Sequence, residues 1–298
     1  MRKLMFVATA LAVGFAAQSA AAAEAVTIQL KWVTQAQFAG YYVAQDKGFY
    51  GAENLDVTIN PGGPDISPPQ IIVGGGADVI IDWMPSALAS REKGVPLVNI
   101  AQPFKRSGMM LTCRKDTGIS GPEDFAGKTL GVWFFGNEYP FLSWMSKLGL
   151  STQGGEGVTV LKQGFNVYPI LQRQADCVST MEDGLYVLED NLKDPAFVDR
   201  MARFVRATMK GWDWARANPK EAALIVLEND NTGAQTEKHQ IRMMGEINKL
   251  TAGSNGRLDP ADFDRTVNTL LSGGSDPVIT KVPTGAWTHA ITDAAGLM

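Results

Sequence analysis

The chain has 298 residues, 45% of them hydrophobic, with 27 basic and 31 acidic side chains and a formal net charge of −4. That length is enough for two lobes of roughly 100–150 residues each, and an acidic balance without a basic tract argues against holding nucleic acid or an anionic membrane surface. Two cysteines, Cys113 and Cys177, allow at most one disulfide, and the isolated His239 and His289 do not complete a metal site with them.

The N-terminus reads as an export signal. Arg2 and Lys3 are followed by an apolar run from Leu4 to Ala17, broken only by Thr9 and Gly14, and then by mostly small residues up to Ala23. Ala21-x-Ala23 fits a signal-peptidase site, with Glu24 as the first mature residue. The run is shorter than the ~20 residues a spanning helix needs, and no cysteine follows it to carry a lipid. Residues 1–23 are therefore expected to be a cleaved signal peptide, the remaining chain soluble, and its destination the periplasm.

From there strands and helices alternate. Val26 to Leu30 alternates as a strand, Ala39 to Lys47 is helical up to Gly48, and Leu55 to Ile59 is a strand ending in the turn Asn60-Pro-Gly-Gly-Pro64. Ser67 with Pro68 and Pro69 marks a helix start, and Gly74 to Gly76 stops that helix. Ala77 to Ile81 is a buried strand, Pro85 to Lys93 a helix, and Val95 to Ala101 a strand. Repeated strand–helix–strand units predict an α/β fold with a mainly parallel sheet flanked by helices. A smaller block follows, with strands at Met109 to Cys113, Thr129 to Phe134, Val158 to Leu161 and Asp176 to Thr180. Its helices fall at Gly121 to Phe125, Tyr139 to Leu148 and Val167 to Gln174. Beyond Asp194 the chain turns helical: Asp194-Pro195, Asn218-Pro219 and Asp259-Pro260 each read as a helix start. Phe197, Met201, Phe204, Val205, Met209 and Trp212 share one face, as packing for the first block.

In open α/β sheets, ligands bind beyond the carboxyl ends of the strands. That rule selects four loops: Lys31 to Phe38, Pro61 to Ser67, Asp82 to Ser86, and Phe134 to Phe141. They carry Trp32, Phe38, Tyr41 and Tyr42 near the first strand, Asp82-Trp83-Met84 after the third, and Trp133-Phe134-Phe135-Gly136-Asn137-Glu138-Tyr139 in the second block. Aromatic faces stack on flat rings, and carboxylates accept N–H groups strongly. Lys31 is the main basic side chain, so an oxyanion would find few donors. A neutral or cationic heteroaromatic ligand fits better. Plainer roles compete: Trp32 and Trp83 as core, Asp82 as a cap for the helix opened by Pro85, and Glu138 as an acid favoured at a helix start. Tyr41 and Tyr42 face different sides of one helix, so at most one reaches a ligand. Gly74 to Gly76 lacks the Lys-Ser/Thr of a phosphate loop.

With these residues in view, the sequence resembles the periplasmic binding proteins for thiamine-pyrimidine precursors, within the nitrate/sulfonate/taurine-type group. The likeness lies in Trp32-Val-Thr-Gln-Ala-Gln-Phe-Ala-Gly-Tyr-Tyr42, Asp46-Lys-Gly-Phe49, Gly76-Ala-Asp78 before Asp82, and Lys93-Gly-Val-Pro96. It continues through Gly121 to Lys128, Gly136-Asn-Glu138 and the region from Asn191 to Asn218. It implies a type II two-lobed fold, with residues 24–108 and 182–298 in one lobe and 109–181 in the other, closing on a small-molecule ligand at a hinge. The implied partners are an ABC permease and its ATPase, with the protein a monomer that uses no cofactor or metal. The expected ligand-binding residues are Trp32, Gln37, Phe38, Tyr41, Asp82, Trp83, Phe135, Gly136, Asn137 and Glu138, with none catalytic. Pyrimidine precursors, flavin-like rings and small sulfonates all remain open as ligands.

One departure bears on the second lobe. The family usually has a helix and a further strand between segments like Cys177 to Met181 and Gly184 to Leu188, with Thr-Tyr-Asn-Glu after the methionine. Here Glu182-Asp183 follows Met181 directly. That implies a shortened second lobe or a segment missing from the chain, with the return crossing near residues 181–186. The same superfold includes a thiamine-pyrimidine synthase, whose working lysine and histidine fall on Asp82 and Ser86 and whose cysteine-rich iron motif has no counterpart. The resemblance therefore implies a binding protein, not an enzyme.

Overall fold

Alternation of apolar residues gives β1 (Glu24–Gln29) and β2 (Leu55–Asn60), and they pair in parallel with Val26 opposite Val57 and Ile28 opposite Ile59. The computed structural model describes residues 22–108, 113, 117–132, 138–162, 183–272 and 277–298. The expected signal peptide lies outside them except for its last two residues. So do the strand at Asp176 to Thr180, the helix at Val167 to Gln174, Cys177, and all but the last residue of the strand at Met109 to Cys113.

The first block continues with α1 (Ala39–Asp46), α2 (Phe49–Ala52), α3 (Pro68–Val73), β3 (Val79–Asp82), α4 (Met84–Glu92) and β4 (Leu97–Ala101). β3 and β4 are buried along their whole length, as strands covered on both faces must be. The second block holds β5 (Thr129–Val132), α5 (Glu138–Lys147) and β6 (Thr159–Lys162), with β5 and β6 in a parallel pair. Phe125 meets Trp144 edge-on at 5.4 Å in its small core, with Phe141, Met145 and Val158. The helix expected at Gly121 to Phe125 is a single 3-10 turn, Pro122–Asp124; the Asp124 carboxylate accepts the amides of Ser120 and Gly121, which closes the turn. Cys113 is a half-buried free thiol.

The chain then returns through β7 (Gly184–Leu188), which inserts between β3 and β4 and runs antiparallel to both. The five-stranded sheet has the order β2-β1-β3-β7-β4, four strands pointing one way and β7 the other. Gly184 is required at this insertion. A Cβ there would collide with the side chains of Asn99 and Gln102, which hydrogen-bond to each other at 2.9 Å beside an irregularity in β4.

The C-terminal region supplies α6 (Pro195–Ala217), α7 (Pro219–Glu228), α8 (Glu237–Thr251), α9 (Pro260–Leu271) and α10 (Ala290–Ala294). Asp194 and Asp259 cap α6 and α9, each accepting a helix amide at 2.9 Å. Asn218 does not cap α7: its amide donates backwards to Trp214 O at 2.9 Å and closes the end of α6. The expected apolar face of α6 is buried against α1, where Gly40 and Gly211 let the two backbones approach; a Cβ on Gly211 would strike the carbonyl of Gly40. α7, α8 and α10 join the same core. α9 instead packs with α4 and with Tyr139 of α5, and the buried Ser143 hydroxyl of α5 donates to Thr269 O at 2.6 Å. No described helix is long and apolar enough to cross a membrane.

Candidate ligand site at the carboxyl ends of the strands

Parallel register builds the centre of the site. Ile28 lies opposite Val79 and Gln29 opposite Ile80, so the residues just past the paired segment, Lys31 and Asp82, fall side by side. The Lys31 ammonium and the Asp82 carboxylate are 2.6 Å apart, with side chains only 6% and 0% exposed. The same Asp82 oxygen accepts the Trp83 amide at 2.9 Å, and the other accepts the Ser86 hydroxyl at 3.0 Å. The aspartate therefore does more than start α4. It is the counter-ion of a buried lysine, and it presents no open surface to a ligand.

The loops are tied together around this pair. Gly62 donates to Trp32 O at 2.8 Å, and a Cβ on Gly62 would sit 2.5 Å from Leu30 O, so the second loop lies directly on the first. The Gln29 amide reaches Pro61 O at 3.1 Å. The turn at Ala36–Phe38 is held by Gln240 of α8, whose side-chain oxygen accepts the Ala36 amide at 2.6 Å.

The other expected site residues fall in different surroundings. Trp32 and Trp83 are half-buried at the loop ends, with Trp32 against the main core. The Lys31 ammonium lies over the Trp83 ring, 4.9 Å from its centroid. Gln37 is half-buried and donates to Asp183, at the crossing back into the sheet. Phe38 and Tyr41 lie wholly inside the core, Tyr41 edge-on to Trp212 at 5.8 Å, and neither presents surface at the loops. Tyr42 is also in the core, its hydroxyl 2.9 Å from Thr34. Phe135, Gly136 and Asn137 lie outside the described residues. Glu138 is buried at the first position of α5.

Sequence reasoning passed over Tyr139. Its phenol is pushed up to about 12, first by burial and then by the negative charges of Glu138 and Asp82. The Tyr139 ring packs against the cluster that holds Met84 and Leu88 of α4, so the start of α5, in the second block, lies near the carboxyl end of β3 in the first. The aromatic run through Trp133 to Tyr139 already held the signal. Lys31 was noted only as a cation, and its pairing with Asp82 is a contact between positions 51 apart. Among the described residues, no group of His, Cys, Asp and Glu could hold a metal ion.

The family described as NMT1/THI5 like matches residues 35–198. The formylaminopyrimidine-binding protein of Halalkalibacterium halodurans is 23% identical over 281 residues, covering 84% of this chain and 85% of that protein. The 4-amino-5-hydroxymethyl-2-methylpyrimidine phosphate synthase of Legionella pneumophila is 31% identical over 108 residues, 36% of this chain and 34% of that enzyme. Among solved structures, the periplasmic sulfonate-binding protein SsuA from Methylobacillus flagellatus KT superposes with a TM-score of 0.64 at 14% identity, covering 92% of this chain and 94% of that one. At that identity the likeness shows the fold, that of periplasmic binding proteins.

Proposed function

The chain belongs to the NMT1/THI5-like family, and on that premise we propose that it is the extracytoplasmic solute-binding protein of an ABC importer, holding a small heteroaromatic ligand such as a thiamine pyrimidine precursor. In this role residues 1–23 are removed on export to the periplasm. Residues 24–108 and 182–298 form one lobe and residues 109–181 the other, and the ligand is held between them. The monomer then delivers it to a permease with its ATPase.

The observation that carries the ligand class is the buried pair of Lys31 with Asp82. Lys31 is the one basic side chain in the four loops, and its charge is already neutralised within the protein. An incoming sulfonate or nitrate would have to break that pair or remain uncompensated, and a buried unpaired charge is costly. Glu138 adds a buried acid at the start of α5, which favours a ligand bearing amino groups. The similarity to a formylaminopyrimidine-binding protein over most of both chains points to the same class.

Catalysis is disfavoured by the chemistry of the same residues. Asp82 and Ser86, where the resemblance puts a synthase's lysine and histidine, hydrogen-bond to each other at 3.0 Å and offer neither an amine nucleophile nor an imidazole base. The synthase relative matches only 36% of the chain.

Native mass spectrometry of protein purified from periplasmic extract without refolding tests the proposal. The expected result is a co-purifying heteroaromatic molecule that is released on unfolding. A bound alkanesulfonate in its place would contradict the ligand class.

A further inference from the structure

Trp83 carries a donor that no described group uses. Among the described residues its buried indole Nε1 has no hydrogen-bond partner, and the residue follows directly on β3, half-buried at the carboxyl ends of the strands. Buried donors are nearly always paired, because an unmade bond forfeits the hydration of the group. The indole N–H of Trp212, by contrast, faces the Tyr41 hydroxyl inside the core, and that residue is wholly enclosed, edge-on to Tyr41 and Phe104. Trp83 differs in lying half-buried among the loops that follow the strands. Its backbone amide is held by Asp82 at 2.9 Å. One face of its ring is covered by the Lys31 ammonium at 4.9 Å, and that ammonium is itself held by Asp82 at 2.6 Å. The covered face is not available for stacking, and the indole has little freedom to turn.

Taking the proposed solute-binding role as given, we propose that Trp83 selects the ligand through its indole N–H, which donates to an acceptor on the ring edge. The ligand class is thereby narrowed to heteroaromatics with an unprotonated ring nitrogen or a ring carbonyl. A carbocycle with the same amino substituents should bind poorly. The Lys31–Asp82 pair acts behind the indole: it sets the ring's position and leaves the N–H as the group that reads the ligand.

The test is a cycle of two proteins and two ligands. Wild type and Trp83→Phe, which keeps an aromatic ring and removes the donor, are titrated with 4-amino-5-hydroxymethyl-2-methylpyrimidine and with analogues in which one ring nitrogen is replaced by CH. The expected result is at least a tenfold loss of affinity for the pyrimidine on Trp83→Phe. Wild type should show a similar loss toward one analogue, and Trp83→Phe should no longer distinguish that analogue from the pyrimidine. In ¹⁵N-labelled wild type, the Trp83 indole N–H resonance, assigned by triple-resonance connectivity, should move downfield on adding the pyrimidine. That reading stands even if the variant misfolds. Tight pyrimidine binding with an unmoved indole resonance and an unchanged Kd for Trp83→Phe would overturn the inference and leave the functional proposal intact. Binding of taurine with no response to the pyrimidine would sink both.

Discussion

Replacing Asp82 with Asn changes one charge and almost no volume, so it isolates the electrostatics at the centre of the site. At the observed 2.6 Å, the attraction between Lys31 and Asp82 is about 6 kcal/mol at an effective dielectric of about 20. Desolvation of both groups, several kcal/mol per ion, cancels most of that gain. The intact pair is therefore close to neutral for stability, whereas a lone charge in the same place is not. Asp82→Asn should cost ~3–5 kcal/mol, the usual penalty for stranding one member of a buried pair. Lys31→Met should cost less, because the Asp82 carboxylate keeps the Trp83 amide and the Ser86 hydroxyl. The double variant Lys31→Met/Asp82→Asn should recover about 2 kcal/mol or more relative to the sum of the single changes. Urea unfolding followed by far-UV circular dichroism gives all three values. A loss below about 1 kcal/mol for Asp82→Asn, or a double variant as unstable as the sum, would refute the buried-pair account.

Three further outcomes follow from particular residues. Gly184→Ala puts a methyl group into the Asn99–Gln102 pair and should destabilise the protein by ~1–3 kcal/mol, which thermal melting would detect. Glu53 accepts two hydrogen bonds from Arg206, at 2.9 and 2.8 Å, which hold its carboxyl below the ordinary 4.5. Its contribution is therefore complete above that value and lost as pH falls through the lower folded one, so Glu53→Gln should make stability less sensitive to acid below about pH 4.5, as acid titration by circular dichroism would show. Glu138→Gln separates a helix-start acid, worth ~0.3–1 kcal/mol of stability, from a ligand acceptor worth ~1.5–3 kcal/mol of binding. We expect near-normal melting and at least a tenfold weaker Kd in titration.

Much of the first block was legible because its signals are local. Alternation marked β1 and β2, short apolar runs marked β3 and β4, and the Asp-Pro pairs at 194–195 and 259–260 marked helix starts that the structure reproduces. β7 was harder. Gly184 to Leu188 is an apolar run without alternation, since an interior strand is covered on both faces, and its direction depends on partners more than eighty residues earlier. Composition located the aromatic loops but not the side chains' facing, so Phe38 and Tyr41 went into the core while Trp83 stayed half-buried at the end of β3. The contacts that organise the site, Lys31 to Asp82 and Gln37 to Asp183, span 51 and 146 positions. They emerge only once register and topology are known. Tyr139 shared a run with Glu138, but its proximity to Asp82 depends on how α5 docks on α4 and α9.

The central claim is that this protein binds an amino-substituted heteroaromatic ring in preference to a small oxyanion. Isothermal titration calorimetry of the ligand-free protein against an aminopyrimidine, riboflavin, taurine and nitrate tests it most directly. The expected result is saturable one-to-one binding of a ring compound, with no heat from taurine or nitrate beyond dilution. Tight binding of taurine or nitrate, with no response to either ring compound, would contradict it.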